Sequence, residues 1–184
     1  MNRKDIKWKF IGTFENKSGL MDITDPCYDK DVWCRTRRRC AAGKYNAYID
    51  VRTLKDWGTR VYGLRIVHKD YDKPENLGRM NPFLWRPKAI KGVVGVDAGL
   101  CGFFDEKPDF EDDDFDKPGK YNKLNPKTWS QMCDLVRDQN YAVLSYGVFS
   151  SSGIGDGVYP CYYWLGAGNH EKWGESVAFE LRFL

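Results

Sequence analysis

Residues 150–166 have the sequence "SSSGIGDGVYPCYYWLG", and the fold depends on whether a helix or a strand follows the glycines. Gly153, Gly155 and Gly157 give the spacing G-x-G-x-G, whereas a dinucleotide-binding loop has G-x-G-x-x-G and opens a helix. The residues after Gly157 are mostly β-branched or aromatic, and Pro160 would cost about 3 kcal/mol inside a helix. The stretch therefore predicts a turn and a strand, without the helix N-terminus that binds phosphate.

The stretch "SSGIGDGVYPCY" (151–162) is a looser copy of a turn pattern that two earlier segments share, namely "SGLMDITD" (18–25) and "AGLCGFFD" (98–105). Each has a small residue, Gly and Leu at its start and Asp at its end, with six residues from Gly to Asp. Glycine adopts positive φ at tight turns, and a closing Asp accepts hydrogen bonds from nearby backbone N–H groups. The pattern predicts a corner that the fold uses more than once, although a match this short also arises by chance.

The composition is that of a folded domain with many turns. Hydrophobic residues make up 42% and aromatic residues 15% of the chain, which is too much for a disordered protein. Eighteen Gly and eight Pro indicate frequent turns. We expect one domain over 1–184, with irregular connections at 70–88 and 105–124 where Pro, Gly and acidic residues concentrate.

Alternation of apolar and polar positions predicts a mainly β or α+β fold, an antiparallel sheet or sandwich of about nine strands. The first two strands should form an N-terminal hairpin, and the third and fourth should be joined by a short turn. The fifth is the most apolar and should be central, and the sixth should return from it. These strands are expected at 6–14, 20–24, 45–54, 60–68, 89–96, 100–105, 141–150, 157–166 and 176–184.

One helix is predicted in "NPKTWSQMCDLVRDQ" (125–139). Asn125 is the expected cap, and Pro126 suits the first turn. Apolar residues recur at i, i+3, i+4 and i+7, which places them on one side of the helix. This side should pack on a face of the sheet; its residues are Trp129, Met132, Cys133 and Val136.

Three segments together resemble a known family: "SGLMDITDPCY" (18–28), "GVDAGLCGFFD" (95–105) and "SSSGIGDGVYPCYYW" (150–164). They are similar to an uncharacterised bacterial and phage family, a domain of unknown function. Its members carry a Gly-to-Asp-Pro segment, a Val-Asp-Ser/Ala-Gly segment and a Ser-Gly-x-Gly-Asp-Gly-x-Tyr hairpin in this order. The resemblance implies a mainly β single domain and a phage or mobile-element context, and it implies no reaction.

Four aspartates at the predicted corners are candidate metal ligands: Asp25, Asp97, Asp105 and Asp156. If the corners meet at one end of the sheet, the carboxylates would suit Ca²⁺ or Mg²⁺, which prefer oxygen ligands. Carboxylates held close together would also shift a pKa and supply an acid and a base for hydrolysis. The alternative is that each Asp caps its own turn, since Asp is common in turns for that reason.

The segment "CRTRRRCAAGK" (34–44) is predicted to be a basic loop. Guanidinium groups bind phosphates bidentately, so a nucleic acid is one partner that this loop allows. It could equally be solvated, or paired with the acidic segment at 105–116. Its candidate binding residues are Arg35, Arg37, Arg38 and Arg39.

Further candidate ligand contacts lie in and after the glycine turn, at Ser152, Tyr159 and Trp164. In an extended "YPCYYWL" (159–165), both faces carry aromatic residues. Aromatic side chains on two faces suit either a ligand groove or a strand buried on both sides. The sequence leaves both interpretations open.

We expect a cytoplasmic protein with no membrane partner, because no apolar run approaches the roughly 18 residues of a membrane span. The first ten residues also lack the apolar stretch of a secretory signal, and the six cysteines should be reduced. The favoured function is a non-enzymatic β-rich interaction domain, with a protein partner and no cofactor. The alternatives are a divalent-metal protein, with a metal-dependent hydrolase as one form, and an anti-defence inhibitor that acts through its charged loops.

Overall fold

The computed structural model describes residues 8–28, 35–72, 88–89, 93–106, 121–166 and 175–184. In these ranges the chain forms thirteen strands and one helix. In chain order they are β1 Lys9–Asn16, β2 Leu20–Thr24, β3 Thr36–Arg39, β4 Gly43–Leu54, β5 Gly58–His68, β6 Lys88–Ala89, β7 Val94–Val96, β8 Leu100–Phe104, α1 Trp129–Val136, β9 Tyr141–Leu144, β10 Gly147–Ser151, β11 Gly157–Tyr159, β12 Cys161–Leu165 and β13 Ser176–Arg182.

The strands form two large sheets and a two-stranded ribbon, and every ladder is antiparallel. The six-stranded sheet has the order β1-β4-β5-β13-β12-β6, and the five-stranded sheet has the order β3-β2-β8-β10-β9. β7 pairs with β11 in the ribbon. The predicted mainly β, antiparallel fold with one helix is confirmed.

The main core lies between the two large sheets, where inward positions of both are apolar. Its largest fully buried side chains include Tyr45, Ile49, Leu64, Phe103 and Phe179. The sheets also meet at their margins: the Glu15 amide donates to the carbonyl of Ser145, and Cys40 bridges to Ser176. Burying a large apolar side chain contributes about 1.5–3 kcal/mol, so this core is a main source of stability.

β4 and β5 form the hairpin that the sequence predicts. Their alternation buries Ala47 and Ile49 on one strand and Leu64 and Ile66 on the other. The hairpin closes at Gly58, whose φ of 67° is accessible to glycine at little cost. The predicted third and fourth strands and their connecting turn are therefore confirmed.

The helix α1 packs on the outer face of the five-stranded sheet. Met132 and Val136 join a second apolar cluster that includes Phe104 and Phe149. The helix is capped by Thr128, which accepts a hydrogen bond from the Gln131 amide, and not by Asn125 as predicted. Within the described ranges, no helix has the length and apolar character that crossing a lipid bilayer requires.

The predicted N-terminal hairpin is wrong. β1 pairs with β4 in one sheet, whereas β2 pairs with β3 and β8 in the other. The short connection 17–19 thus carries the chain from one sheet to the other. Its amides at Lys17 and Ser18 donate to the carboxylate of Asp105, which fixes this crossing by a long-range contact.

Two other predicted placements are also wrong. The basic loop contains strand β3, at the edge of the five-stranded sheet. The apolar segment 89–96 is not a central strand, because β7 lies in the ribbon and pairs with β11 instead of β8. Val94 and Val96 are nevertheless buried, so their apolar character follows from their place in the main core.

The structure has more strands than the predicted nine. Two are additional, β3 and β6, and two predicted strands are each divided. Residues 145–146 make the turn of the β9–β10 hairpin, and Pro160 separates β11 from β12. The predicted irregular connections at 70–88 and 105–124 lie largely outside the described residues.

Candidate functional site

The two segments with the shared turn pattern lie side by side. Gly19 and Gly99 have φ of 71° and 69°, and each is followed by a five-residue strand, β2 or β8. Ile23 and Phe103 occupy equivalent positions in the two segments and pair with each other, so the ladder has local two-fold symmetry. The predicted repeated corner is confirmed as a geometric feature.

The closing aspartates of the two segments bind each other's turns. Asp25 accepts from the amides of Asp97 and Ala98, at 3.0 and 2.8 Å, and from that of Cys27. Asp105 accepts from the two amides of the 17–19 connection and from the hydroxyl of Ser18. The prediction that each Asp caps its own turn is therefore wrong for Asp105, which binds the 17–19 connection. For Asp25 it is incomplete, because this side chain accepts from the nearby Cys27 amide and also from the other turn.

The other two candidate aspartates have separate roles. Asp97 accepts a hydrogen bond from the hydroxyl of Tyr28. Asp156 accepts from the amide of Gly99 at 3.0 Å and so ties the third glycine turn to the second. Among the described residues, no group of three or more His, Cys, Asp or Glu side chains is placed to hold a metal ion. The structure does not bring the four carboxylates together in such a group.

Burial raises the pKa of Asp25, and its hydrogen bonds from backbone amides act in the opposite direction. A buried carboxylate is costly unless its oxygens accept hydrogen bonds, and the three backbone amides meet that need. The side chain therefore holds two turns together and has a structural role.

The basic segment has two partly buried arginines, Arg35 and Arg38, and two exposed ones, Arg37 and Arg39. Arg35 and Arg37 each make two hydrogen bonds to the buried carboxylate of Asp22, at 2.7–3.1 Å. Arg38 donates to the hydroxyl of Ser176, and its guanidinium carbon lies 3.5 Å from the ring centroid of Tyr163. The contacts with Asp22 stabilise β3 on β2, and the contacts of Arg38 join β3 to β12 and β13 of the other sheet.

The glycine turn at 152–157 is held by its own groups. The hydroxyl of Tyr159 donates to the carbonyl oxygens of Ser152 and Gly155, and the hydroxyl of Ser152 also donates to Gly155. Strand β11 follows Gly157, so the prediction of a turn before a strand is confirmed. Two candidate binding residues, Ser152 and Tyr159, therefore hold this turn.

Trp164, the remaining aromatic candidate, lies on the outer face of the six-stranded sheet. There it lines a cavity of about 410 Å³, here called the outer pocket. The floor consists of Val67 and Ala178, paired neighbours on β5 and β13. The other lining residues are Trp8, Tyr48, Arg65 and Asp72.

Register explains how these side chains meet. Tyr48, Arg65, Glu180 and Tyr162 are successive cross-strand neighbours on β4, β5, β13 and β12. The next outward row contains Asn46, Val67, Ala178 and Trp164. Since side chains of one row point to the same face, four strands build one side of the outer pocket.

Trp8 precedes the edge strand β1, and its side chain extends over the sheet as far as β5. A Cβ at Gly63 would come within 3.1 Å of the Trp8 ring, so glycine leaves the space that the indole occupies. The guanidinium carbon of Arg65 lies 4.3 Å from the Trp8 ring centroid and 5.6 Å from that of Trp164. Such cation–π contacts orient the arginine between two indoles.

Glu180 fixes the charged part of this face. It is fully buried and accepts hydrogen bonds from the guanidinium groups of Arg65 and Arg182. The guanidinium carbon of Arg182 in turn lies 4.5 Å from the ring centroid of Tyr162. The buried carboxylate is thus paired on two sides, which a charge in this position requires.

Asp72 is the acidic group of the outer pocket. Its Oδ2 accepts from the hydroxyl of Tyr48 and from the side-chain amide of Asn46. Burial and the contact with Asp72 raise the pKa of Tyr48 to about 12. The phenol is therefore a hydrogen-bond donor at neutral pH, and it holds the carboxylate in one orientation.

A second cavity, of about 530 Å³, lies beside His68 and is lined also by Asp70 and Glu175. Nδ1 of His68 accepts from the Asp70 amide, so Nε2 carries the proton and donates to the carbonyl of Ala42. Both ring nitrogens are thus used within the fold. This cavity offers weaker grounds for a ligand than the outer pocket.

Sequence reasoning identified Trp164 but missed the other lining residues of the outer pocket. A signal was present, because Tyr48 and Arg65 occupy the outward positions of strands whose inward positions are apolar. The contribution of Trp8 and Asp72 had no such signal, since both lie outside the strands. The pocket becomes visible only when the cross-strand register is known.

Comparisons with protein-family models, with curated proteins and with solved structures give no match to this chain. The resemblance described from the three sequence segments therefore stays a prediction.

Proposed function

We propose that the chain is a non-enzymatic β-rich binding domain and that its ligand occupies the outer pocket. The observation that carries this proposal is the cavity of about 410 Å³ with aromatic walls, one carboxylate and one guanidinium. Small-molecule sites are typically apolar clefts of about 300–1,000 Å³ with a few fixed polar groups. The outer pocket has this size and this composition.

The polar groups of the outer pocket are held in place before any ligand arrives. Tyr48 and Asn46 fix Asp72, and Glu180 fixes Arg65. A group that is already ordered loses little conformational freedom when it binds. This preorganisation supports a recognition role for the pocket.

Three of the reactive side chains that the structure describes, Cys40, Cys161 and His68, are used or protonated within the fold. Burial raises the pKa of Cys40 to about 12, and it raises that of Cys161 as well, so both remain thiols at neutral pH. Both nitrogens of His68 have partners. These observations favour binding over nucleophilic or acid–base catalysis.

The two alternative functions receive less support. A metal enzyme built on Asp25, Asp97, Asp105 and Asp156 needs carboxylates that converge, and the described residues form no metal-holding group. An inhibitor that acts through its charged loops needs charges available to a partner, and Arg35 and Arg37 already bind Asp22 within the fold. The acidic loop lies largely outside the described residues.

The test is a screen of small aromatic and aliphatic fragments by two-dimensional amide NMR. We expect some flat fragments to shift the amide signals of β5, β12 and β13 around the outer pocket. The variant Ala178→Leu should abolish these shifts, because Ala178 is the pocket floor and the larger side chain fills it. A matched control is Val51→Leu, an exposed position on the same sheet.

The proposal fails if no fragment shifts these signals. It also fails if the same shifts persist in Ala178→Leu with the fold intact, because the fragments would then bind elsewhere.

A further inference from the structure

We infer that the outer pocket binds a nucleobase, an inference that rests on the proposed function. The shape of the pocket is the first ground. Trp8, Tyr48 and Trp164 contribute aromatic rings, and Val67 with Ala178 contributes an apolar floor. Such a lining suits a flat ring, because aromatic faces pack against planar groups in stacked or edge-to-face contacts.

The charge of the outer pocket is the second ground. One carboxylate, Asp72, and one guanidinium, Arg65, line it, so their formal charges cancel. A cationic ligand would compete with Arg65, which already lies over the Trp8 ring. An anionic ligand would meet Asp72. The pocket therefore favours an uncharged ligand.

The hydrogen-bonding groups are the third ground. Tyr48 and Asn46 both donate to Oδ2 of Asp72. No hydrogen bond from a described residue reaches Oδ1 of the same carboxylate. Nη1 of Arg65 likewise makes no hydrogen bond to a described residue, whereas Nε and Nη2 bind Glu180. The outer pocket is thus lined by one residue with a remaining acceptor oxygen and one with a remaining donor nitrogen.

A nucleobase matches these three properties together. It is flat, it is uncharged at neutral pH, and it carries N–H donors and ring or carbonyl acceptors on its edges. Proteins recognise unstacked bases by stacking on aromatic rings or guanidinium planes and by hydrogen bonds to the base edges. Guanine fits best, since its N–H edge suits a carboxylate and its O6 and N7 accept from arginine.

The base can arrive as a free nucleoside or within a single strand, and the two sources share this chemistry. Binding is measured by titration calorimetry with guanosine and with a short single-stranded oligonucleotide that contains guanine. We expect guanosine to bind. Asp72→Asn should weaken binding at least about tenfold, the factor that corresponds to about 1.4 kcal/mol. The matched control Asp56→Asn, an exposed turn residue, should leave it unchanged.

A second variant, Trp8→Leu, tests the aromatic ring that residue 8, just before β1, contributes to the pocket. It should weaken guanosine binding by a similar factor while leaving the thermal transition in place. If the oligonucleotide binds more tightly and loses affinity in salt, the base is recognised within a strand. If both bind alike without a salt effect, the pocket takes the base alone. Either result supports the inference.

Three outcomes overturn it. In the first, guanosine binds equally well to Asp72→Asn, so the carboxylate does not recognise the base. In the second, no nucleoside binds, whereas a sugar or another fragment occupies the pocket; the ligand class is then wrong and the binding function stands. In the third, neither nucleosides nor fragments bind, and the proposed function fails as well.

Discussion

The two large sheets present different surfaces on their outer faces. On the five-stranded sheet, Phe104 and Phe149 are covered by α1. On the six-stranded sheet, the outward rows carry aromatic rings together with Arg65 and Glu180. One face is thus closed by the chain's own helix, whereas the other contains the outer pocket.

The difference shows two ways in which the outer face of a sheet can be stabilised in water. A purely apolar face needs another element to remove it from water. A mixed face satisfies its own polar groups, because Arg65 packs its stem and plane on rings while its nitrogens bind Glu180. The helix-covered face should therefore contribute stability, and the mixed face should contribute recognition.

The largest expected effect is on the helix-covered face. Phe149→Ala should lower the free energy of unfolding by about 3–5 kcal/mol, because it leaves a cavity in a fully buried cluster. Denaturation in urea measures the change. Val158→Ala, at a position that is 58% exposed, is the control and should change it by less than about 0.5 kcal/mol. A loss below about 1 kcal/mol for Phe149→Ala would contradict the assigned role of this face.

Glu180→Ala should follow, with a loss of about 3 kcal/mol. The substitution leaves the guanidinium groups of Arg65 and Arg182 without their buried carboxylate. Glu180→Gln keeps the shape and an acceptor oxygen, so its loss should be smaller. Chemical denaturation of the two variants checks the order. Equal stability of Glu180→Ala and the parent chain would mean that the mixed face does not depend on this ion pair.

The helix cap should have a smaller effect. Thr128→Ala removes the side-chain acceptor for the Gln131 amide and should cost about 1 kcal/mol. Asn125→Ala is the matched control, since Asn125 is the cap that the sequence predicts and the structure does not use. Urea denaturation distinguishes them. A larger loss of stability for Asn125→Ala than for Thr128→Ala would mean that Asn125 is the cap, as the sequence predicts.

The pKa values of two tyrosines, Tyr48 on the mixed face and Tyr146 on the helix-covered face, allow the two faces to be compared in the alkaline range. Burial raises the pKa of both Tyr48 and Tyr146 from 10 to about 12. The folded chain therefore keeps protons that the unfolded chain releases, and the associated stability is present below pH 10 and is lost as the pH rises towards 12.

Asp72→Asn should change the pKa of one of these tyrosines and not of the other. It should lower the pKa of Tyr48, because the Asp72 carboxylate is one cause of the raised value. The pKa of Tyr146 should not change, since burial alone raises it. Tyrosinate absorbance, with Tyr48→Phe to assign the transition, measures both. A shift in both residues, or in neither, would show that Asp72 does not act on Tyr48 directly.

Local patterns predicted the fold where local interactions determine it. Alternation identified β4 and β5, and positive-φ glycines identified the shared turns at 18–25 and 98–105. The connection 17–19 has the length of a hairpin turn, and nothing in its sequence separates a hairpin from a crossing between sheets. The partner that decides, Asp105, lies 88 residues beyond Lys17 in the chain.

The same limit applies to the basic segment and to the pocket. Four arginines in close succession look solvated until Asp22 is known to be buried opposite Arg35 and Arg37. Trp164 stood out as an aromatic residue on a strand, but the residues that complete its pocket depend on register across four strands. Sequence spacing carries no information about that register.

The exchanged contacts of Asp25 and Asp105 have a consequence for chain connectivity. Each carboxylate binds amides of the other segment. If the chain were divided between residues 25 and 97, the first fragment would carry Asp25 and the amides that bind Asp105. The second fragment would carry Asp105 and the amides that bind Asp25. Neither piece can restore either contact alone, and reassociation restores both at once. Division of the chain in this interval therefore makes both contacts depend on the reassociation of the two fragments.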